Sequence, residues 1–176
     1  MISKFLTVML TLSLWGAGGC GYSVRSVLPA TFRTIHVLPF SNKIIYSTDQ
    51  AHNSYIPLME VKVRNAIVER YLFDGNLKIA DEETADLVLK GELTGFERNV
   101  LRYTESNDVQ EYRIHIVVSL TMLDPSEAKA LWTEPAFVGE ATYFLTGPQA
   151  KSEAAAIEDA LTDLARRVVE RTIEDW

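Results

Sequence analysis

Apolar and polar residues alternate most clearly along one stretch in the second half of the chain. The most regular stretch begins at residue 112, and its alternate apolar positions are Tyr112, Ile114, Ile116, Val118, Leu120 and Met122. Because successive side chains of a strand point to opposite faces, this pattern predicts a strand with one apolar face. We also predict strands over 85–102 and 131–145. Turns at 106–108 and 124–127 would join the three strands into an antiparallel meander.

Two further strands, a loop and a break in the last long strand are also expected. Residues 35–40 are dense in β-forming side chains and predict a first strand, and residues 77–80 predict a short one. The polar residues 41–53 predict a loop. In the last long strand Pro135 lacks a backbone N–H, so we expect a break there, and Gly139 should loosen the strand further.

Two other stretches have helical periodicity. In the first, apolar residues recur at every fourth position and predict one buried stripe, composed of Met59, Val63, Ile67 and Tyr71. We expect this helix to begin at Tyr55, capped by Ser54, and to end at Gly75. The second helix follows Ser152 as its cap, and its predicted stripe is Ala154, Ile157, Leu161, Leu164, Val168 and Ile173.

These elements predict the fold class. Each helix has one apolar stripe and the meander has one apolar face, so the stable arrangement buries these surfaces against each other. We therefore predict an α+β fold, a two-layer sandwich of two helices on a four-stranded, mostly antiparallel sheet.

The N-terminal residues have the features of a secretory signal peptide. Lys4 supplies a positive charge, and the apolar run after it is too short to span a bilayer. Cys20 is the single cysteine, and its position after small residues resembles a bacterial lipobox, in which the thiol is diacylated. Ala17 stands where such boxes usually carry leucine. A buried structural cysteine or an ordinary signal peptide is the alternative. We predict a signal peptide at 1–19, a lipidated tether at 20–31 and one domain at 32–176.

Charge and chemistry narrow the possible functions. The chain has 24 acidic and 17 basic residues, a formal net charge of −7, which argues against a nucleic-acid partner. One cysteine allows no internal disulfide, and we predict no metal site and no cofactor. The histidines are His36, His52 and His115, and none has a serine or cysteine partner in a known catalytic motif. We predict no catalytic residue and no enzyme.

An ordered set of segments resembles the LptE family of lipopolysaccharide-assembly lipoproteins. The segments are Cys20-Gly21-Tyr22, 35–40 with 41–42, 85–93, Glu111-Tyr112-Arg113, Leu131-Trp132 and 141–144. The resemblance implies an outer-membrane lipoprotein that faces the periplasm. It also implies a plug for, and an assembly partner of, the LptD-type β-barrel that inserts lipopolysaccharide into the outer leaflet. The fold that it implies, two helices on four strands, agrees with the one predicted above.

Arg98, Arg102 and Arg113 lie in or near the hairpin predicted at 99–108. If the hairpin folds back, Arg102 and Arg113 should come close, and paired guanidinium groups present donors that suit a phosphate. We therefore predict that these arginines contact lipopolysaccharide. The alternative is that they pair with neighbouring glutamates such as Glu97 or Glu111, and the acidic net charge also weighs against direct binding.

Two other classes of function stay open. A tethered periplasmic envelope enzyme would need a cleft with a carboxylate or histidine of strongly shifted pKa. A general lipoprotein scaffold would differ from an LptE-type protein in the partner that it binds.

Overall fold

The computed structural model describes residues 28–29, 31–45 and 56–174, with the backbone alone for residue 174. Its strands are β1 (Thr34–Val37), β2 (Ser41–Asn42), β3 (Lys78–Ile79), β4 (Leu87–Tyr103), β5 (Val109–Asp124) and β6 (Lys129–Phe144). Its helices are α1 (Met59–Asp74), between β2 and β3, and α2 (Glu153–Glu174). The predicted signal peptide, Cys20 and most of the predicted tether lie outside the described residues.

All the strands belong to one mixed sheet. Its order is β3-β1-β4-β5-β6, and β2 also pairs with β4. The predicted meander is confirmed, since β4, β5 and β6 are antiparallel neighbours, but β1, β2 and β3 make parallel pairs. The α+β class with two helices is therefore confirmed. The predicted count of four strands is wrong, because the described residues form a mixed sheet of six strands in which the three long ones are antiparallel.

The parallel pairs follow from the connections. The segment that joins β1 to β3 contains α1, and a crossover through a helix brings the second strand back parallel to the first. The two-residue strands β2 and β3 are too short to show an alternating pattern, so their register could not be predicted. For the same reason the predicted loop at 41–53 is wrong at its start, where Ser41 and Asn42 form β2 and pair with β4; residues 46–53 lie outside the described residues.

Helices cover one face of the sheet. On β5 the predicted apolar positions from Ile114 to Met122 are fully buried, while the residues between them are partly exposed. The predicted stripe of α1 is buried at all four positions. On α2 the predicted stripe is buried except at Ala154, which is exposed, and the buried side also includes Ala156, Ala160, Ala165 and Val169. The two helices join in the core, where the Tyr71 hydroxyl lies 2.7 Å from Thr172 Oγ1.

The first helix begins later than predicted. Residues 56–58 are not helical, and α1 starts at Met59, after Leu58 in a left-handed conformation with φ of 58°. Pro57 accounts for part of this difference, because a proline disfavours helical geometry in the residue before it. Ser54 and Tyr55, the predicted cap and first residue, lie outside the described residues. Gly75 ends the helix in the left-handed conformation, with φ of 78°, as predicted.

Pro135 does not break the last strand. β6 is continuous, and the register with β5 shifts between the pairs Val118–Phe137 and Leu120–Glu134, so the proline lies in a bulge. Gly139 also has another role than the one predicted. A Cβ atom there would lie 2.3 Å from Leu164 Cβ and 2.7 Å from the Ala160 carbonyl oxygen, so the glycine lets α2 pack directly against the strand.

Candidate functional site

The three arginines of the sequence prediction lie on the outer half of the β4–β5–β6 meander. Beyond them, the β4–β5 hairpin closes through a tight turn in which the Thr104 N–H donates to the Asp108 carbonyl. Asn107 in this turn has a positive φ of 65°, which asparagine tolerates better than most residues. The turn was predicted correctly at 106–108.

Arg98 faces the helix-covered side of the sheet. It pairs across the ladder with the buried Ile114, and its guanidinium lies 2.9 Å from Glu153 of α2 and 5.1 Å from the centre of the Tyr112 ring. Burial lowers the pKa of Arg98, but the charge and hydrogen bond of Glu153 outweigh burial, and the pKa is raised overall. This arginine ties the hairpin to the start of α2.

Arg102 and Arg113 lie on the opposite face, which neither of the two described helices covers. Arg102 is the cross-strand partner of Glu111, with 3.5 Å between Nε and a carboxylate oxygen, and its guanidinium lies 5.8 Å from the Phe144 ring centre. Its side chain is 61% exposed, so its remaining donors are accessible to a ligand. The Glu111 side chain, in contrast, is only 10% exposed.

Arg113 belongs to a network that crosses three strands. Its guanidinium lies 3.9 Å from Glu140 of β6, and the same carboxylate lies 3.3 Å from His115 Nε2. On the other side His115 Nδ1 lies 3.7 Å from Glu97 of β4. The Arg113 Nε atom is buried and has no hydrogen-bond partner among the described residues. We call these four residues, Glu97, Arg113, His115 and Glu140, the open-face network.

The structure therefore brings two of the three arginines to one face, but not as a pair. Arg102 lies opposite Glu111 and Arg113 lies opposite Asn99, so the two arginines are not direct partners across the ladder. Each of the three arginines has a glutamate within ion-pair distance, but only the Arg102–Glu111 pair is among those that the alternative named; Arg98 contacts Glu153 and Arg113 contacts Glu140. An anionic ligand would have to compete with these carboxylates or bind through donors that they leave accessible.

Several exposed apolar side chains at the same end were not predicted from the sequence. These side chains, which we call the tip patch, are Val100, Leu101, Tyr103 and Leu145. Beside them a cavity of about 300 Å³ is lined by residues that include Gln110, Phe144 and Pro148. The available signal was the apolar character of positions 100, 101 and 103 within a segment that otherwise appears polar. Exposed apolar clusters of this kind often mark interaction surfaces.

Another cavity lies at the far end of the sheet. It has a volume of about 410 Å³, and Leu38, Val88, Leu123 and the carboxylates of Glu82 and Asp124 contribute to its lining. Hydrogen bonds from the Ser126 hydroxyl and backbone lower the pKa of Asp124, so this carboxylate is an anion that holds the β5–β6 turn. A general acid would need the opposite shift.

The predictions of no catalytic residue and no metal site can be compared only with the described part of the chain. There, His36 Nδ1 lies 2.8 Å from the Ala80 carbonyl oxygen, and His115 belongs to the open-face network. His52 lies outside the described residues. Within the described ranges, no cluster of three potential metal ligands occurs, and no helix has the length and apolar character needed to cross a bilayer.

A comparison with protein-family models shows to which family the chain belongs. The family model LptE, described as lipopolysaccharide-assembly, matches residues 32–172. The chain belongs to the LptE family. Family membership makes this a protein of lipopolysaccharide assembly and confirms the resemblance noted in the sequence. A comparison with curated proteins found no significant match.

Solved structures support the fold at low sequence identity. A protein of Xanthomonas campestris has a TM-score of 0.56 at 14% identity, covering 86% of this chain and 92% of its own. An uncharacterized lipoprotein B of Nitrosomonas europaea has a TM-score of 0.51 at 15% identity, covering 78% and 84%. A PelC dodecamer variant of Paraburkholderia phytofirmans has a TM-score of 0.50 at 14% identity, covering 84% and 94%. At these identities the similarity concerns the fold alone.

Proposed function

We propose that this protein is a non-catalytic lipoprotein of the outer membrane that plugs an LptD-type β-barrel and helps to assemble it. The observation that carries the proposal is the LptE family match over residues 32–172. In the cell the protein would face the periplasm, and the barrel would insert lipopolysaccharide into the outer leaflet.

The anchor is part of this proposal. Cleavage after residue 19 would make Cys20 the first residue of the mature protein, and its acyl chains would hold the domain at the membrane. Each buried CH₂ group contributes about 0.8 kcal/mol, and stable anchoring needs more than one chain. Metabolic labelling with a fatty acid should mark the wild-type protein and leave Cys20→Ser unlabelled. A labelled Cys20→Ser protein would refute the lipid anchor.

The tip patch is the surface that we assign to the barrel. Its apolar side chains are exposed at the end of a hairpin, and partner surfaces are often enriched in apolar and aromatic groups. Arg98 ties this hairpin to α2 through Glu153, and the inner-face residues of β5 from Ile114 to Met122 are fully buried, so the patch lies at the end of an element that the core supports.

Co-purification tests the barrel partner. A tagged protein, extracted with detergent from the outer membrane, should bring down an LptD-type barrel, and Leu101→Asp with Tyr103→Asp should weaken this. Phe73→Asp is the matched control, because Phe73 is also an exposed apolar residue but lies on α1. If the wild-type protein brings down no such barrel, the proposal fails. A different envelope protein in its place would favour the general scaffold.

The proposed lipopolysaccharide contact rests on Arg102 and Arg113, with Arg98 as a third cation on the other face. Arg102 is the strongest candidate, because most of its side chain is exposed. Arg98 is already engaged by Glu153 and Tyr112. Guanidinium groups bind phosphate through several charge-assisted hydrogen bonds, so removal of two such groups should weaken binding.

A charge reversal tests this contact. Arg102→Glu with Arg113→Glu should weaken lipopolysaccharide capture and leave the barrel in the co-purified complex. Lys62→Glu with Arg166→Glu is a control of equal charge change on the helices. The control should have no more than the small effect expected from long-range charge, which salt screens over about 8–10 Å. Equal capture by the wild-type and the Arg102/Arg113 variant would place the contact elsewhere.

A further inference from the structure

The histidine of the open-face network lies between two carboxylates of the neighbouring strands. Glu97 of β4 and Glu140 of β6 are the cross-strand partners of His115, one on each side. The two ring nitrogens face them separately, with Nδ1 3.7 Å from Glu97 and Nε2 3.3 Å from Glu140. A neutral imidazole donates a hydrogen bond from one nitrogen only, whereas the imidazolium donates from both. The two carboxylates therefore match the protonated form of the ring better than the neutral one.

His115 and Arg113 share one oxygen of Glu140. This atom, Oε2, lies 3.3 Å from His115 Nε2 and 3.9 Å from a terminal nitrogen of Arg113, and the second distance is close to the limit of an ion pair. The Arg113 side chain is 38% exposed, and its buried Nε has no hydrogen-bond partner among the described residues. The donors that a ligand can reach are thus the terminal nitrogens, and Glu140 is the carboxylate that holds them.

The charges of the network do not balance while the histidine is neutral. Two glutamates and one arginine then give a net charge of −1, which opposes an anionic ligand, and protonation of His115 brings the sum to zero. The neighbouring groups add no net charge. Arg102 pairs with Glu111, and Asp163 and Arg167 of α2 bind backbone groups of β6, with their side chains 3.8 Å apart. The protonation of His115 therefore decides the sign of the balance.

We propose that His115 regulates the lipopolysaccharide contact of Arg113 through the shared carboxylate of Glu140. This inference rests on the arginine contact proposed above. When the ring is protonated it attracts Glu140, which releases the terminal nitrogens of Arg113 for a phosphate group. When the ring is neutral, Glu140 pairs with Arg113 instead. Histidine side chains ordinarily change their charge between about pH 5 and 8, so the contact strengthens as the pH falls through that range.

The test measures lipopolysaccharide capture by the detergent-solubilised full chain near the two ends of that range, at constant salt. Phosphate groups of the ligand also titrate there, so each variant is compared with the wild type at the same pH. The ratio of wild-type to His115→Gln capture should be about two- to fivefold larger at the acidic end, which is the effect of one exposed ion pair. His36→Gln is the matched control, because His36 lies on β1 and contacts the Ala80 carbonyl oxygen, outside the network. Its ratio to the wild type should not change with pH.

A second variant tests the shared carboxylate. Glu140→Gln removes the charge that holds Arg113, so its capture at the alkaline end should rise by about two- to fivefold over the wild type and depend less on pH. Glu158→Gln makes the same change of charge on α2, where Glu158 pairs with Lys62, and should behave as the wild type. Circular dichroism checks that each variant is folded. Should His115→Gln fail to fold, the comparison of Glu140→Gln with Glu158→Gln decides alone.

The outcomes separate this proposal from the one on which it rests. If Arg102→Glu with Arg113→Glu captures as much lipopolysaccharide as the wild type, the arginine contact is wrong, and the regulation is wrong with it. If that variant is weakened but folded His115→Gln keeps the pH dependence of the wild type, the contact stands and the regulation by His115 is overturned. A folded Glu140→Gln that gains no capture at the alkaline end overturns it as well.

Discussion

The two faces of the β4–β5–β6 meander contain glycines in very different surroundings. Gly139 lies under α2, where an added Cβ would meet Leu164 Cα and the Ala160 carbonyl oxygen, both at 2.7 Å. Gly95 lies on the open face, where an added Cβ would meet only the Val117 side chain, at 3.3 Å. On the covered face the backbone of β6 packs directly against the backbone of α2. On the open face the Val117 side chain can move to accommodate a new methyl group.

This difference indicates that the two faces of the sheet have different roles. The covered face contains the buried apolar residues and determines the stability of the fold. The open face contains the open-face network, Arg102 and polar residues whose contacts are exposed and individually weak. Substitutions on the open face can therefore change binding while the fold is preserved, and the following experiments test that separation.

The largest difference in stability is expected between substitutions at two neighbouring positions of β5 that lie on opposite faces. Ile116→Ala should lower the free energy of unfolding by about 2–5 kcal/mol, because Ile116 is fully buried beneath the helices. Val117→Ala, one residue along on the open face, should cost less than about 1.5 kcal/mol. Urea unfolding followed by circular dichroism measures both. Equal losses would show that the two faces do not differ in this way.

The two glycines provide the next comparison. Gly139→Ala should destabilise the fold by about 2–3 kcal/mol, because α2 must move away from the strand. Gly95→Ala should change stability by less than about 1 kcal/mol in either direction, since the lost backbone freedom of the unfolded chain offsets a mild contact. Unfolding curves for the two variants decide this, and a Gly95→Ala loss as large as that of Gly139→Ala would contradict it.

The buried tyrosine gives a smaller and pH-dependent effect. Thr172 Oγ1 donates to the Val168 carbonyl, so it accepts the hydrogen bond from Tyr71. Tyr71→Phe should cost about 1 kcal/mol near neutral pH. Burial raises the pKa of Tyr71 above its ordinary value of 10.0, partly offset by the Thr172 hydrogen bond.

The sign of the pH effect follows from that direction. The unfolded chain loses the tyrosine proton near pH 10, whereas the folded protein keeps it to higher pH. The stability that the neutral Tyr71 contributes is thus complete below pH 10 and declines as the pH rises toward the raised folded value. The stability difference between wild type and Tyr71→Phe should shrink above about pH 10. Tyr103→Phe, at an exposed position, should show no such trend.

The smallest effect is expected in the open-face network. Arg113→Gln removes a partly exposed ion pair with Glu140, which should change stability by about 0–1 kcal/mol and less in high salt. Thermal unfolding at low and high salt measures this. A loss of several kcal/mol that salt does not reduce would mean that the network supports the fold and not only the surface.

Periodicity predicted the elements well wherever an element was long. Alternation located β5, the central strand of the meander, and the four-residue recurrence of α1 identified every buried position of its stripe. These patterns are local, because residues i and i+2 of a strand lie on the same face, and so do residues i and i+4 of a helix. The same information could not show that β1 and β3 pair in parallel, since each strand contributes only a few residues and the pairing depends on the path of α1.

The candidate site was predicted only in part for the same reason. The three arginines could be located near a hairpin, but their faces depend on the register and the bulges of β4, which shift between Val100 and Arg102. That register placed Arg98 under the helices and Arg102 opposite Glu111.

The sequence by itself determined the elements, the apolar face of the meander and the family, because each depends on residues close together or in a fixed order along the chain. The tertiary structure alone decided that Gly139 receives α2, that Asp163 of α2 accepts a hydrogen bond from the Glu140 N–H of β6, and which glutamate pairs with each of the three predicted arginines. These are contacts between residues far apart in the chain. Their geometry follows from how the layers pack, which no local pattern of side chains encodes.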